Sequence, residues 1–236
     1  MMASSSSVTW SAHIRIIFQL YGLPDPLLLL DDQPWPKDRW NSHTKTLVTA
    51  YHETAWREKA LSNYKLQYLN VQCTGLSGRP HPVLLWVQTT QDVAIVRPLI
   101  KMLCGDYLCY DYLSHDRGID SHCRLCSSYT HTAPVENIEH ILTQCKATRD
   151  TRQKRLVVLL NTVAYPYSSN RLLSNPSSVH LTQFILDCSS LNLPTDTRVS
   201  PDHPAFIDIT RQCSYYVYAI HKDRTRQLKA LGLLGK

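Results

Sequence analysis

The sequence predicts a mainly α-helical protein, an irregular helical array with a small cysteine- and histidine-bearing module near its middle. Three observations carry that reading. Apolar residues recur at helical spacing in several stretches, glycine is scarce at 7 of 236 residues with no run of strand-like alternation, and cysteines and a histidine crowd together between positions 123 and 145. A hydrophobic fraction of 43% is enough to build a core.

The elements follow in order. Serines at positions 4–7 offer N-caps to a first helix, whose apolar stripe is Trp10, Ile14, Ile17, Phe18 and Tyr21, and which Gly22 stops. Residues 23–36 hold four prolines and read as a loop. A long second helix is expected over 37–63, with Trp40, Leu47, Tyr51 and Ala55 on one stripe. Residues 75–82 form a second break, and the short apolar run 83–87 fits a buried strand or a helical segment equally well. Thr90 caps the next helix, which runs through Val93, Ile100 and Leu103 and which Pro98 should kink or divide. A tyrosine-rich turn over 106–112 precedes the cysteine segment. Further helices are expected through Leu156 to Val163, over 178–188 and over 205–231, the last preceded by a polar linker at 192–204. Three regions result: 1–105 helical, 106–165 the module with its following helix, and 166–236 the C-terminal helices.

The formal charge is +6 at pH 7, which suits a polyanionic partner but is shared by many solvated surfaces. Residues 1–7 are small and polar without a basic stretch, so no secretory signal is read there. The longest purely apolar run, 215–220, is far too short to span a bilayer. An intracellular location, nucleus or cytoplasm, and a reducing compartment are expected, where cysteines at paired spacing point to a metal rather than to disulfides.

Cys123, Cys126, His140 and Cys145 have the spacing C-x2-C, thirteen residues, H, four residues, C. Two cysteines three apart chelate one ion from a tight turn, and the histidine and last cysteine arrive from the next element. Four protein ligands make a closed structural Zn²⁺ site with no position left for water. Residues 135–145 read as a short helix with Val135, Ile138, Ile141 and Leu142 on its apolar face. Arg124, between the first two cysteines, can offset the charge of three thiolates. His115, His122, His131, Cys104 and Cys109 are the competing candidates, with His122 adjoining Cys123.

Gly105-Asp-Tyr-Leu, then His122-Cys-Arg-Leu-Cys126 and Glu136-Asn-Ile-Glu-His-Ile-Leu-Thr-Gln-Cys145, resemble the zinc-knuckle region near the C-terminus of non-LTR (LINE-type) retrotransposon reverse transcriptase polyproteins. Residues 16–30, 183–188 and 210–231 are loosely similar to flanking segments of that family. Lys146 departs from the pattern where a proline commonly follows the last cysteine, and Pro98 interrupts a helix. The resemblance implies a CCHC zinc knuckle that helps to hold RNA or target DNA, with the polymerase and endonuclease elsewhere in the polyprotein. The rest of such a polyprotein becomes a further expected partner.

The residues give no reason to expect an enzyme. Asp31 and Asp32 lack the preceding aromatic pair, and prolines follow them. His52-Glu53 lacks the second histidine of a zinc protease motif, since Trp56 stands there. The segment 75–78 lacks a P-loop lysine. The basic residues Lys146, Arg149, Arg152, Lys154 and Arg155 crowd into ten positions just after the last ligand. With Arg124 they are the expected nucleic-acid contacts, and Lys222, Arg224, Arg226 and Lys229 are the fallback. A helical protein–protein interaction module with a purely structural zinc is the alternative.

Overall fold

The computed structural model describes residues 10–31, 35–71, 81–111, 113, 118, 120–128, 133–164, 177–188 and 204–233. The serines at 4–7, Asp32, the break at 75–80, Cys73, His115, His131 and the linker at 192–203 lie outside the described residues. Among the described residues helix is the only regular secondary structure, and the one β-like feature is an isolated antiparallel bridge between His122 and Val135. These residues fall into two compact units, the first made of those up to Ser62 and the second of those from Asn63 onward.

The first unit contains α1 (Trp10–Leu20), a short turn of helix α2 (Leu28–Asp31) and α3 (Lys37–Ser62). α1 ends where expected, at Gly22, whose φ of 67° lies in the left-handed region that a side chain disfavours. Rings hold α1 to α3. Phe18 packs on Trp40 with centroids 6.0 Å apart, Tyr21 meets Tyr51 edge-on at 5.1 Å, and Tyr21 Oη lies 3.1 Å from His52 Nε2.

The second unit is built around its last helix. α4 (Thr90–Leu103), α5 (Arg149–Ala164) and α6 (Ser178–Leu186) all pack against α7 (Pro204–Ala230). Phe206, Ile209, Cys213, Tyr216, Val217 and Ile220 are buried at intervals of three and four along α7, so one stripe faces the core over its first four turns. Ile95, Val96, Leu99 and Met102 from α4 and Ile185 and Leu186 from α6 complete that core. Asn70 N–H donates to Asp187 Oδ2 at 2.8 Å and Gln183 Nε2 to the Tyr68 carbonyl at 2.7 Å, fastening residues 63–71 to the end of α6.

Several expectations are corrected in detail. The cap of α4 is Thr89, not Thr90. Its hydroxyl accepts from Asp92 N–H at 3.2 Å while Asp92 Oδ2 accepts from Thr89 N–H at 2.9 Å, a reciprocal capping box. Pro98 does not divide α4. The helix runs unbroken from Thr90 to Leu103 with the proline ring buried on its core side, so apolar packing offsets the lost hydrogen bond. The apolar run at 83–87 begins as a 3₁₀ turn, Pro82–Leu84, and is not a strand. Val135 is not helical but sits in the bridge to His122, and a π-helical turn, His140–Gln144, replaces the expected α-helix before Cys145.

Candidate metal centre

The two halves of the centre are stitched together by backbone. Cys123 N–H donates to the Pro134 carbonyl and Glu136 N–H to the Ser121 carbonyl, both at 2.8 Å. The C-x2-C turn therefore lies against the strand-like residues 134–136. Asn137 Oδ1 then accepts from His140 N–H at 2.8 Å and starts the next turn. In an α-helix, residues five apart point about 140° away from one another. Here Cys145 N–H donates to the His140 carbonyl at 2.7 Å, the i to i+5 bond of a π turn, and the wider turn brings His140 and Cys145 to the same side.

Cys123, Cys126, His140 and Cys145 are all buried, and their ligand atoms lie within 4.8 Å of one another, close enough to hold one metal ion. Cys126 Sγ is 3.4 Å from His140 Nε2 and 3.7 Å from Cys145 Sγ. Backbone amides aim at the sulfurs: Cys126 N–H at Cys123, Lys146 N–H at Cys126 and Ala147 N–H at Cys145. The contact with Cys123 first, then His140, holds the Cys145 thiol below the usual cysteine range, and the same contact followed by burial raises Cys123.

Behind the ligands lies a buried ion pair. Arg224 Nη2 is 2.5 Å from Glu136 Oε1, with the two side chains 6% and 0% exposed. Tyr110 N–H donates to the same carboxylate oxygen at 3.3 Å, and the Arg224 guanidinium lies 5.8 Å from the centre of the Tyr107 ring. Tyr107 Oη is 3.0 Å from His221 Nδ1. Burial pushes the Tyr107 hydroxyl up to about 12 and moves His221 below its usual range. Leu228 of α7 packs into the small cluster formed by Cys123, Leu125, Cys126 and Cys145, and Gln227 Nε2 donates to the Ala147 carbonyl at 2.9 Å.

The structure separates the expected basic contacts into two kinds. Lys146, Arg149, Lys154 and Arg155 are exposed and form no ion pair among the described residues. Arg152 is half-buried and donates from Nη1 to the Cys145 carbonyl at 2.7 Å, so it supports the centre. Arg124 pairs with Asp120 at 3.3 Å and lies 5.6 Å from the Tyr110 ring centre. Arg224 is corrected outright: it is buried against Glu136 and is no surface cation. His122 is exposed and bonded to Asp120 Oδ1, so it does not compete for the ion, and Cys109 is buried in the main core outside the cluster.

A groove between helices was not legible in the sequence. Arg155 of α5 faces Lys222 and Arg226 of α7 across an open groove of about 430 Å³ that Thr151, Tyr218 and Asp223 also line. The i, i+4 spacing of Tyr218, Lys222 and Arg226 is visible in the sequence, but their meeting with α5 depends on helix packing. Compared with known proteins, the chain matches no family model, no curated protein and no solved structure.

Proposed function

We propose that the chain is a zinc-stabilised nucleic-acid-binding module. Three thiolates and an imidazole are a soft donor set suited to zinc. Tetrahedral Zn²⁺ with bonds of about 2.3 Å to sulfur and 2.0–2.1 Å to nitrogen would space two sulfurs about 3.8 Å apart and a sulfur and a nitrogen about 3.6 Å apart. The separations of 3.7 and 3.4 Å at Cys126 lie close to both. With four ligands, all buried, the ion serves the fold and leaves no position open for substrate.

The observation that carries the binding reading is the run of exposed cations, Lys146, Arg149, Lys154 and Arg155, that leaves the centre directly after Cys145. Cations without ion-pair partners among the described residues, beside a rigid turn, suit phosphate oxygens. The resemblance of the C-R-L-C and E-H-I-L-x-x-C segments to the retrotransposon zinc-knuckle region supports the same reading, with retroelement RNA or target DNA as the partner and the rest of a reverse transcriptase polyprotein as a companion. This reading assigns no catalysis to the chain.

One zinc per chain is expected by metal analysis, and Cys126→Ser should lose it. Filter binding to RNA and DNA at several salt concentrations tests the rest: affinity should fall steeply as salt rises. A chain that binds neither polymer would leave the second reading, a protein–protein interaction module. That reading is favoured by the apolar side chains exposed on α1, Trp10 at 78% and Ile16, Ile17 and Leu20 at about half.

A further inference from the structure

The groove between α5 and α7 gathers cations that packing does not explain, beside Tyr218, which also packs against the main core. Tyr218, Lys222 and Arg226 follow one another at i, i+4 along one side of α7, and Thr151 and Arg155 do the same on α5. Three cations therefore line one open groove of about 430 Å³, with a half-buried tyrosine ring among them. Arg155 and Lys222 form no ion pair among the described residues. The acidic group in the groove, Asp223, is already engaged on both oxygens. Oδ2 accepts from Thr151 Oγ1 at 2.7 Å, and Oδ1 accepts from Arg226 Nη2 at 2.6 Å and from Gln227 Nε2 at 3.2 Å. Asp223 thus holds Arg226 in place on α7, and the remaining N–H groups of that guanidinium stay available, its side chain being 78% exposed.

Accepting the nucleic-acid reading above, we infer that this groove is a binding track for a single-stranded polynucleotide, with Arg155, Lys222 and Arg226 on phosphates and the Tyr218 ring under a base. A duplex presents its phosphates outward and keeps its bases stacked inside, so it would leave the ring unused. A single strand offers both backbone charge and a free base face. A polymer of acidic residues alone would satisfy the cations but would offer no aromatic face to the ring. The groove stands beside the metal centre because the same helix reaches both: Leu228, just beyond Arg226 on α7, packs on the cysteines.

The test uses the full chain loaded with zinc and fluorescein-labelled oligo(U), oligo(dT), the matching duplex and polyglutamate, followed by anisotropy over a salt series. The wild type is expected to bind both single strands more tightly than the duplex or polyglutamate. Arg155→Gln with Lys222→Gln should lower the salt slope by about 1.4, near 0.7 for each single-strand phosphate that is no longer neutralised. Lys37→Gln with Lys45→Gln, which removes the same charge from exposed positions of α3, should leave it unchanged. Tyr218→Leu should weaken binding about 5- to 150-fold, the range for one stacked base, while Tyr218→Phe should not. Zinc content and helicity confirm that each variant is folded. Binding that persists with an unchanged slope in the groove variant overturns the track and leaves the nucleic-acid reading standing. Duplex or polyglutamate bound as tightly as the single strands overturns the single-strand assignment. No binding to any nucleic acid by the wild type overturns both.

Discussion

Glu136 and Arg224 stand 88 positions apart, yet they form the least exposed ion pair among the described residues. Removing one partner strands the other charge in the interior, so Arg224→Ala should cost about 3–5 kcal/mol in urea unfolding of the zinc-loaded protein. Replacing both by apolar residues of similar size should cost much less. Gly105 is a second position where the cost follows from geometry. Its φ is 68°, and a Cβ there would clash with Lys65 Cβ, so Gly105→Ala should lose about 2–5 kcal/mol from the left-handed backbone and the clash together, read in the same assay. His221 gives the pH dependence. Burial holds its folded-state value below that of the unfolded chain, so the unfolded chain takes up the proton first. The stability it contributes is full above about pH 6.5, the unfolded value, and is lost as pH falls through the folded-state value. The Tm gap between wild type and His221→Gln should therefore narrow below about pH 6.5, and a gap independent of pH would remove His221 from that account. At this scale the four residues of the candidate metal centre were legible in the sequence, because the C-x2-C spacing is a local constraint. Glu136 and Arg224 were not, since nothing local marks a carboxylate whose partner lies in another helix.

The helices are the elements that sequence reading placed well, and their ends show why. α1 and α3 start or stop within a residue or two of the expected positions because glycine, proline and the apolar stripe each act locally. α4 was displaced by one residue at its cap, since Thr89 and Thr90 are both able to accept and only Thr89 stands three before Asp92. Thr89→Ala should then destabilise the protein by about 0.5–2 kcal/mol, whereas Thr90→Ala should be near neutral, a contrast that thermal unfolding of the two variants resolves. Equal losses would place the cap elsewhere. The residues before Cys145 were misread for a different reason. The apolar spacing of Ile138, Ile141 and Leu142 fits an α-helix, but His140 and Cys145 must converge on one point, and a π turn meets that demand at five-residue spacing. α7 holds the turn in place, with Tyr216 Oη donating to the Leu142 carbonyl at 2.7 Å.

At the scale of the whole molecule the proposed zinc would stabilise one part of the second unit more than another. The main core of the second unit, with Ile209, Tyr216 and Ile220 of α7 at its centre, is built from apolar side chains that do not include the proposed zinc ligands. The smaller cluster joins Cys123, Leu125, Cys126 and Cys145 to a single side chain of α7, Leu228. Structural zinc in small isolated modules carries apparent binding free energies of roughly 10–16 kcal/mol, and those modules unfold without it. Here a chelator should unfold only part of the chain, because α4, α6 and the first turns of α7 bury their own stripes. Hydrogen exchange on the metal-free protein is expected to show lost protection over residues 121–128 and 145–148 and at the end of α7 near Leu228, while Ile138, Ile141 and Leu142 stay with the main core. Protection around Ile209 to Ile220 should persist, and α1 and α3, which belong to the separate first unit, should be unchanged. Arg226 and Gln227 sit at the end that frays, and Gln227 is tied to Ala147 within the metal-dependent stretch. Single-strand affinity should fall on chelation for that reason, although no metal ligand lines the α5–α7 groove, and should return when Zn²⁺ is restored. Protection near Leu228 that survives complete zinc removal would show that the metal does not secure this end of α7, and loss of protection throughout α7 would show that the apolar core cannot stand without it.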